Sequence, residues 1–125
     1  MCHFGYQGVD YIRFIQRFAE RIYHVHMKDV WWSDDPTRAG IFGGHLDFGH
    51  QDRYWDFVSV GRGNIDFDRI IRALSRINYT GPLSIEWEYS GMNREYGARK
   101  FFEYLKKNDF HTSDTAFDAA FSEKE

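Results

Sequence analysis

The chain has 125 residues, room for one domain or part of one. Lys and Arg number 16 against 19 Asp and Glu, a net charge of -3, so the concentrated cationic excess of a nucleic-acid binder is missing. Aromatic residues make up 19%, too many for a disordered chain, and no apolar run nears the roughly 20 residues that cross a bilayer.

The first residues, Met1 to Phe14, lack the basic region and apolar core of a secretory leader. Cys2 is the only cysteine, which rules out an intramolecular disulfide and suits a reducing, cytoplasmic setting. A helix is predicted over about residues 9–20. Val9, Ile12, Ile15, Phe18, Ala19 and Ile22 recur at three- and four-residue steps, and Asp10 suits the positive end of the helix dipole. Ile22 to Lys28 then alternates with period two. This predicts a strand with His24, His26 and Lys28 on one face and Tyr23, Val25 and Met27 on the other. A buried, unpaired cluster of that kind would be costly, so the polar face points to a site.

Residues 29–64 are rich in Gly, Asp, His and Trp and read as a long βα loop. Its seven rings, from Trp31 to Phe57, favour an ordered loop, and Trp55 to Val60 allow a short strand within it. Trp31 and Trp32 suit either stacking on a sugar or packing of the loop itself. His45, Asp47, His50 and Asp52 offer metal-ligand chemistry, although a solvated loop accounts for them better. Gly61-Arg62-Gly63-Asn64 reads as a tight turn more readily than as a phosphate cradle. Asp66 caps a second helix with the stripe Phe67, Ile70, Ile71, Leu74 and Ile77. Asn78 to Pro82 ends it. Leu83 to Glu88 alternates again, with Ser84, Glu86 and Glu88 on the polar side. A third helix is predicted over about 92–107, with Ala98, Phe101, Phe102 and Leu105 inward. Residues 111–125 read as an irregular tail, with Phe117 and Phe121 available to dock it, which leaves 1–110 as the folded body.

Strands alternating with helices indicate an α/β architecture with parallel pairing. Two strands do not make a stable parallel sheet alone, so more strands are needed from elsewhere. Catalytic groups in such folds collect at the C-terminal ends of the strands. His24 to Asp29 ends one strand, and Glu86 and Glu88 end the other. An imidazole and a carboxylate there can share a divalent ion, with Mn, Co, Mg and Zn all compatible. The alternative is that Glu86 and Glu88 pair with Lys28 or Arg62.

Several runs resemble the sugar phosphate isomerase/epimerase family with the xylose-isomerase-like TIM barrel. They are His3 to Asp10, Arg21 to Asp29, Trp55-Asp56-Phe57, Gly61-Arg62-Gly63, Tyr79 to Glu86 and Gly91 to Glu95. The resemblance implies a (β/α)8 barrel, of which this chain would supply the last two strands, their helices and the helix before them. Family members hold one divalent metal through a Glu, an Asp, a His and a second Glu. The His falls on His26 and the second Glu on Glu86. The family's Asp precedes a His that matches His3, so that Asp and the first Glu would lie upstream of Met1, and the chain is expected to be a C-terminal fragment. The implied reaction is isomerisation or epimerisation of a sugar by α-proton transfer. Glu86 serves as ligand and acid/base, His3 contacts substrate oxygen, and Lys28 and Arg62 hold hydroxyls or offset charge. The implied partner is a small-molecule sugar, with neither nucleic acid nor membrane, and a homo-oligomer is allowed. Two other readings share the fold: an inactive or binding-only remnant, and an endonuclease acting at abasic DNA sites. The acidic balance and Lys-poor loop weaken the endonuclease.

Overall fold

The computed structural model describes residues 1–35, 40–42, 45–110 and 113. The expected docking of Phe117 and Phe121 lies outside them. Four strands and four α-helices are formed among the described residues.

A single short turn, α1 (Cys2–Gly5), opens the chain, too brief to show any periodicity. The first expected helix is α2 (Tyr11–Arg17). Asp10 caps it by accepting the Arg13 N–H at 2.9 Å. Ile15 is fully buried and Ile12 and Ile22 partly so, but Val9 stays out, and at Phe18 the backbone leaves helical geometry for one 3-10 turn, Ala19–Arg21.

The predicted strand over 22–28 shrinks to β1 (Val25–Met27). Its parallel partner is β4 (Leu83–Ile85), in the register Val25 to Leu83, His26 to Ser84 and Met27 to Ile85. The predicted alternation survives: Val25 and Met27 are buried, while His24 and His26 are exposed on the opposite face. Tyr23 departs from it and is 78% exposed, because it precedes the strand.

The segment read as one long loop contains a second ribbon. β2 (Asp29–Trp32) pairs antiparallel with β3 (Trp55–Val58), which fulfils the short strand allowed at Trp55. Val30, Trp32, Trp55 and Phe57 share one face of it and build the core with Tyr6, whose ring stacks on Trp55 at 4.3 Å. The Gly- and Asp-rich composition hid β2, but β-branched and aromatic residues at Val30, Trp31 and Trp32 suit a strand.

Asp29 fixes the turn that follows this ribbon. It is fully buried, and its carboxylate accepts four backbone N–H bonds: Val30 and Ile65 on Oδ1, at 2.8 and 3.3 Å, and Gly61 and Gly63 on Oδ2, at 3.0 and 2.8 Å. Gly61-Arg62-Gly63 is therefore the tight turn expected, wrapped on an internal anion. A β-carbon at Gly63 would collide with that carboxylate, and Gly61 adopts φ +84, so both positions require glycine. Burial pushes the Asp29 carboxyl above its usual range, against the pull of the N–H donors from Gly63, Val30, Ile65 and Gly61.

α3 (Phe67–Arg76) starts at Asp66, which accepts the Arg69 N–H at 3.0 Å, and buries Phe67, Ile70, Ile71, Ala73 and Leu74. α4 (Arg94–Asn108) is capped by Asn93. Its buried stripe is Gly97, Phe101 and Leu105 at four-residue spacing. Phe102, expected inward, is 55% exposed, since adjacent helical residues point about 100° apart and Phe101 holds the core position. Gly97 lets the Trp87 indole lie on the helix backbone, and a β-carbon there would enter the ring. Gly97→Ala should thus lower stability by about 1–3 kcal/mol through overpacking, against a helix-propensity gain of about 1 kcal/mol. A lower urea midpoint at unchanged slope checks this.

Candidate functional site

Parallel pairing of β1 with β4 brings the two predicted constellations together. His26, in the middle of β1, brings Nδ1 to 3.0 Å from Glu86 Oε2 just past the end of β4, and the Lys28 ammonium donates to Glu86 Oε1 at 2.9 Å and to Glu88 Oε2 at 2.7 Å. Glu86 thus has an imidazole on one oxygen and an ammonium on the other. The pairing with Lys28 considered for Glu86 and Glu88 exists, and the facing of His26 and Glu86 exists beside it. His24 hydrogen-bonds Ser84 below this pair, with its ring 5.1 Å from that of His26.

The two sides of the cluster differ in burial. Lys28 is 5% exposed, whereas the side chains of Glu86 and His26 are 36% and 61% exposed. Lys28 rests on the Phe57 ring, 3.8 Å from its centroid. His3 packs edge-on against the same ring at 5.7 Å. Phe57 is therefore the apolar floor of the site, with His3 and Lys28 upon it. Its role was missed from sequence, although the alternation in Trp55-Asp56-Phe57-Val58 marked a half-buried strand there. Arg62 stands apart. Its turn faces Asp29, and its exposed side chain makes no hydrogen bond or ion pair among the described residues.

The charges support one another. The Lys28 hydrogen bond holds the Glu86 carboxyl below its usual value of 4.5, with burial opposing and His26 assisting. Burial pulls the Lys28 ammonium down, but Glu88 and Glu86 outweigh it and hold it above 10.5. The sign of the pH dependence follows. A lowered carboxyl contributes stability that is lost as pH falls through its folded value, and a raised ammonium contributes stability that is lost as pH rises through its own. The ion pair should thus stabilise fully between pH 4.5 and 10.5 and fade beyond both limits. Denaturation midpoints against pH should show both edges, and Lys28→Met should flatten them.

Two ligands at about 2.1 Å from one ion, at right angles, lie about 3.0 Å apart. The separation of His26 Nδ1 and Glu86 Oε2 matches that spacing at 3.0 Å, and Lys28 leaves Oε2 available by occupying Oε1. The donor set therefore fits one edge of a divalent coordination shell once Nδ1 carries no proton. Among the described residues no group of three or more His, Cys, Asp or Glu is placed to hold a metal, so further donors are needed. The same finding applies to His45, Asp47, His50 and Asp52, where His50 Nδ1 instead accepts the Asp52 N–H.

The sequence profile of the xylose isomerase-like TIM barrel matches residues 1–108. The chain belongs to that family. An inosose dehydratase of Clostridium botulinum is 33% identical over 86 residues, 69% of this chain and 28% of the relative. A rhizopine catabolism protein, MocC, of Rhizobium meliloti is 35% identical over 88 residues, 69% of this chain and 26% of that protein. An inosose dehydratase of Geobacillus kaustophilus is 32% identical over 104 residues, 75% and 33% of the two chains. The chain thus spans about a quarter to a third of the relatives it matches. No helix among the described residues is long and apolar enough to cross a membrane.

Proposed function

We propose that this chain is the C-terminal part of a (β/α)8 barrel enzyme that transfers an α-proton on a carbonyl-bearing sugar, as an isomerase or epimerase. The observation that carries the reading is Glu86, held between His26 and Lys28 at the ends of adjacent parallel strands. The exposed His26 of β1 and the half-buried Ser84 of β4 give a polar face that suits the inside of such a barrel, and the buried face of β1 suits its helical shell.

His26 and Glu86 would hold the divalent ion with donors from the rest of the barrel, and that ion supplies Lewis acidity toward a carbonyl and its neighbouring hydroxyl. Lys28 lowers the Glu86 carboxyl below its usual range and fixes its direction. A carboxylate below its usual pKa is a modest base, so the α-proton must be acidified by positive charge at the carbonyl oxygen. Glu86 then accepts the proton and returns it. His3 contacts a substrate oxygen above Phe57, which shields that side from water. Arg62 belongs to this group only if substrate reaches its turn.

Dehydration is the second reading, favoured by relatives that bear the name inosose dehydratase. Its first step is the same α-proton removal, followed by loss of a hydroxyl from the next carbon. The test uses the chain extended by its upstream sequence, with sugar substrates in deuterated water. Metal-dependent incorporation of deuterium at the α-carbon is expected. A product of unchanged composition identifies isomerisation, and one lighter by a water identifies dehydration. Absence of exchange with any divalent metal overturns both.

A further inference from the structure

A cavity of about 520 Å3 lies against the β2–β3 ribbon, walled also by residues 48–51 and by the turn Tyr89-Ser90-Gly91. Trp31 and Asp56 stand directly opposite each other in the antiparallel register, so both side chains project from one face of the ribbon. Alternation turns Phe57, with Lys28 upon it, to the other face.

Asp56 is half-buried. Its carboxylate accepts the Phe57 N–H on Oδ1 at 2.8 Å and the Gly49 N–H on Oδ2 at 2.5 Å, and each oxygen keeps a second lone pair. Both donors are neutral, and no Lys, Arg or His forms an ion pair with Asp56 among the described residues. Trp31, 41% exposed, and the half-buried Tyr89 line the cavity with it, and indole is the ring that attracts a cation best. The Ser90 hydroxyl adds an acceptor, lying close enough to Gly49 that a β-carbon there would meet it. The Phe48 ring is already covered, by Phe57 at 5.3 Å and by the Arg53 guanidinium at 4.4 Å. That guanidinium is buried and donates to the carbonyls of Trp55 and Leu46, so it is not presented to a ligand. From residue 47 to residue 56 three Asp stand against one Arg, which makes the local field negative.

We propose that this cavity binds the primary ammonium group of a small organic amine. Asp56 is the counterion and Ser90 a second acceptor, and the rings of Trp31 and Tyr89 lie against the cation and its alkyl stem. An ammonium carries three N–H donors, which these acceptors and water satisfy. A neutral hydroxyl would leave the Asp56 charge unpaired, and an anion would meet that charge directly. The recess is of the size that takes a small molecule. The assignment does not rest on the reaction proposed above.

Ligand-observed NMR on the full chain, with n-butylammonium, n-butanol and butyrate as probes of one shape and three charges, tests it. Butylammonium should bind with a Kd of about 1–10 mM, and butanol and butyrate at least about tenfold more weakly. Asp56→Asn keeps an acceptor for the backbone but removes the charge, and should weaken amine binding at least about fivefold. Trp31→Leu keeps apolar bulk but removes the π face, and should weaken it about threefold. Ser90→Ala, with an expected loss of about twofold, gives a further reading should either of those variants fail to fold. Glu86→Gln should leave amine binding unchanged. Equal binding of butanol or butyrate overturns the site, as does an affinity that none of the three cavity variants lowers. Loss of binding in Glu86→Gln overturns it too, since the amine would then sit on the other carboxylate. A lysine in an acetylated, amidated tripeptide should bind no more tightly than butylammonium, and tighter binding overturns the small amine in favour of a protein partner.

Discussion

An Asp29→Ala chain is expected to lose cooperative unfolding at neutral pH, or to retain it with at least about 3 kcal/mol less stability. The substitution leaves the N–H groups of Val30, Gly61, Gly63 and Ile65 without their acceptor in a buried place. Each unsatisfied donor costs about 1–3 kcal/mol, against a total stability of about 5–15 kcal/mol for an ordinary domain. Water reaching Gly61, which is exposed, reduces the loss there but not at Ile65. Asp29→Asn keeps one carbonyl oxygen and turns an amide N–H2 toward the remaining donors, so it should fall between the wild-type chain and alanine. Because Asp29 directly follows Lys28, the damage should spread to the site: the Lys28 ammonium keeps its place over Phe57 only while β2 stays paired with β3. Circular dichroism with urea titration reads the result. A loss below about 1 kcal/mol in the alanine variant would mean that the turn finds other acceptors and that Asp29 does not hold it.

The parts legible in the sequence were those written in local chemistry. Asp66 announced a helix start because an N-cap is a contact over three residues, whereas Asp10 read only as a charge suited to the helix dipole and is a cap in the structure. The facing of His26 and Glu86 was legible because alternation along each strand and parallel pairing between them leave little choice of register. What escaped depends on partners distant in the chain. β2 reads as loop until Trp55 to Val58 is laid beside it. Gly61-Arg62-Gly63 resembles an anion cradle, and it is one, but its anion is Asp29, 32 and 34 residues away from the donors Gly61 and Gly63. Phe57 reads as one ring of an ordered loop; it is core, and its ring also supports Lys28 and His3, which no spacing rule brings to one place. Phe102 shows the limit of a helical stripe: periodicity narrows the inward face to two neighbours, and packing chooses Phe101.

In the barrel enzyme proposed above, Glu86→Gln should reduce α-proton exchange by about 10²- to 10⁴-fold, the range for loss of a general base. Glutamine preserves the volume of the side chain and one carbonyl oxygen that can still accept from Lys28, so the fold should persist and the thermal midpoint should move little. What it removes is the basic oxygen facing His26 Nδ1 at 3.0 Å. Glu88→Gln separates charge from base. Glu88 meets Lys28 at 2.7 Å but not His26, so its loss leaves Glu86 with both of its partners and should cost far less activity. Lys28→Met should fall between the two, since Glu86 then loses the group that aims Oε1 and offsets its charge, but keeps its own proton-accepting oxygen. Exchange measured by NMR on all three variants orders them. If Glu88→Gln proves the most damaging, the base is Glu88, and Glu86 is reduced to a partner of His26.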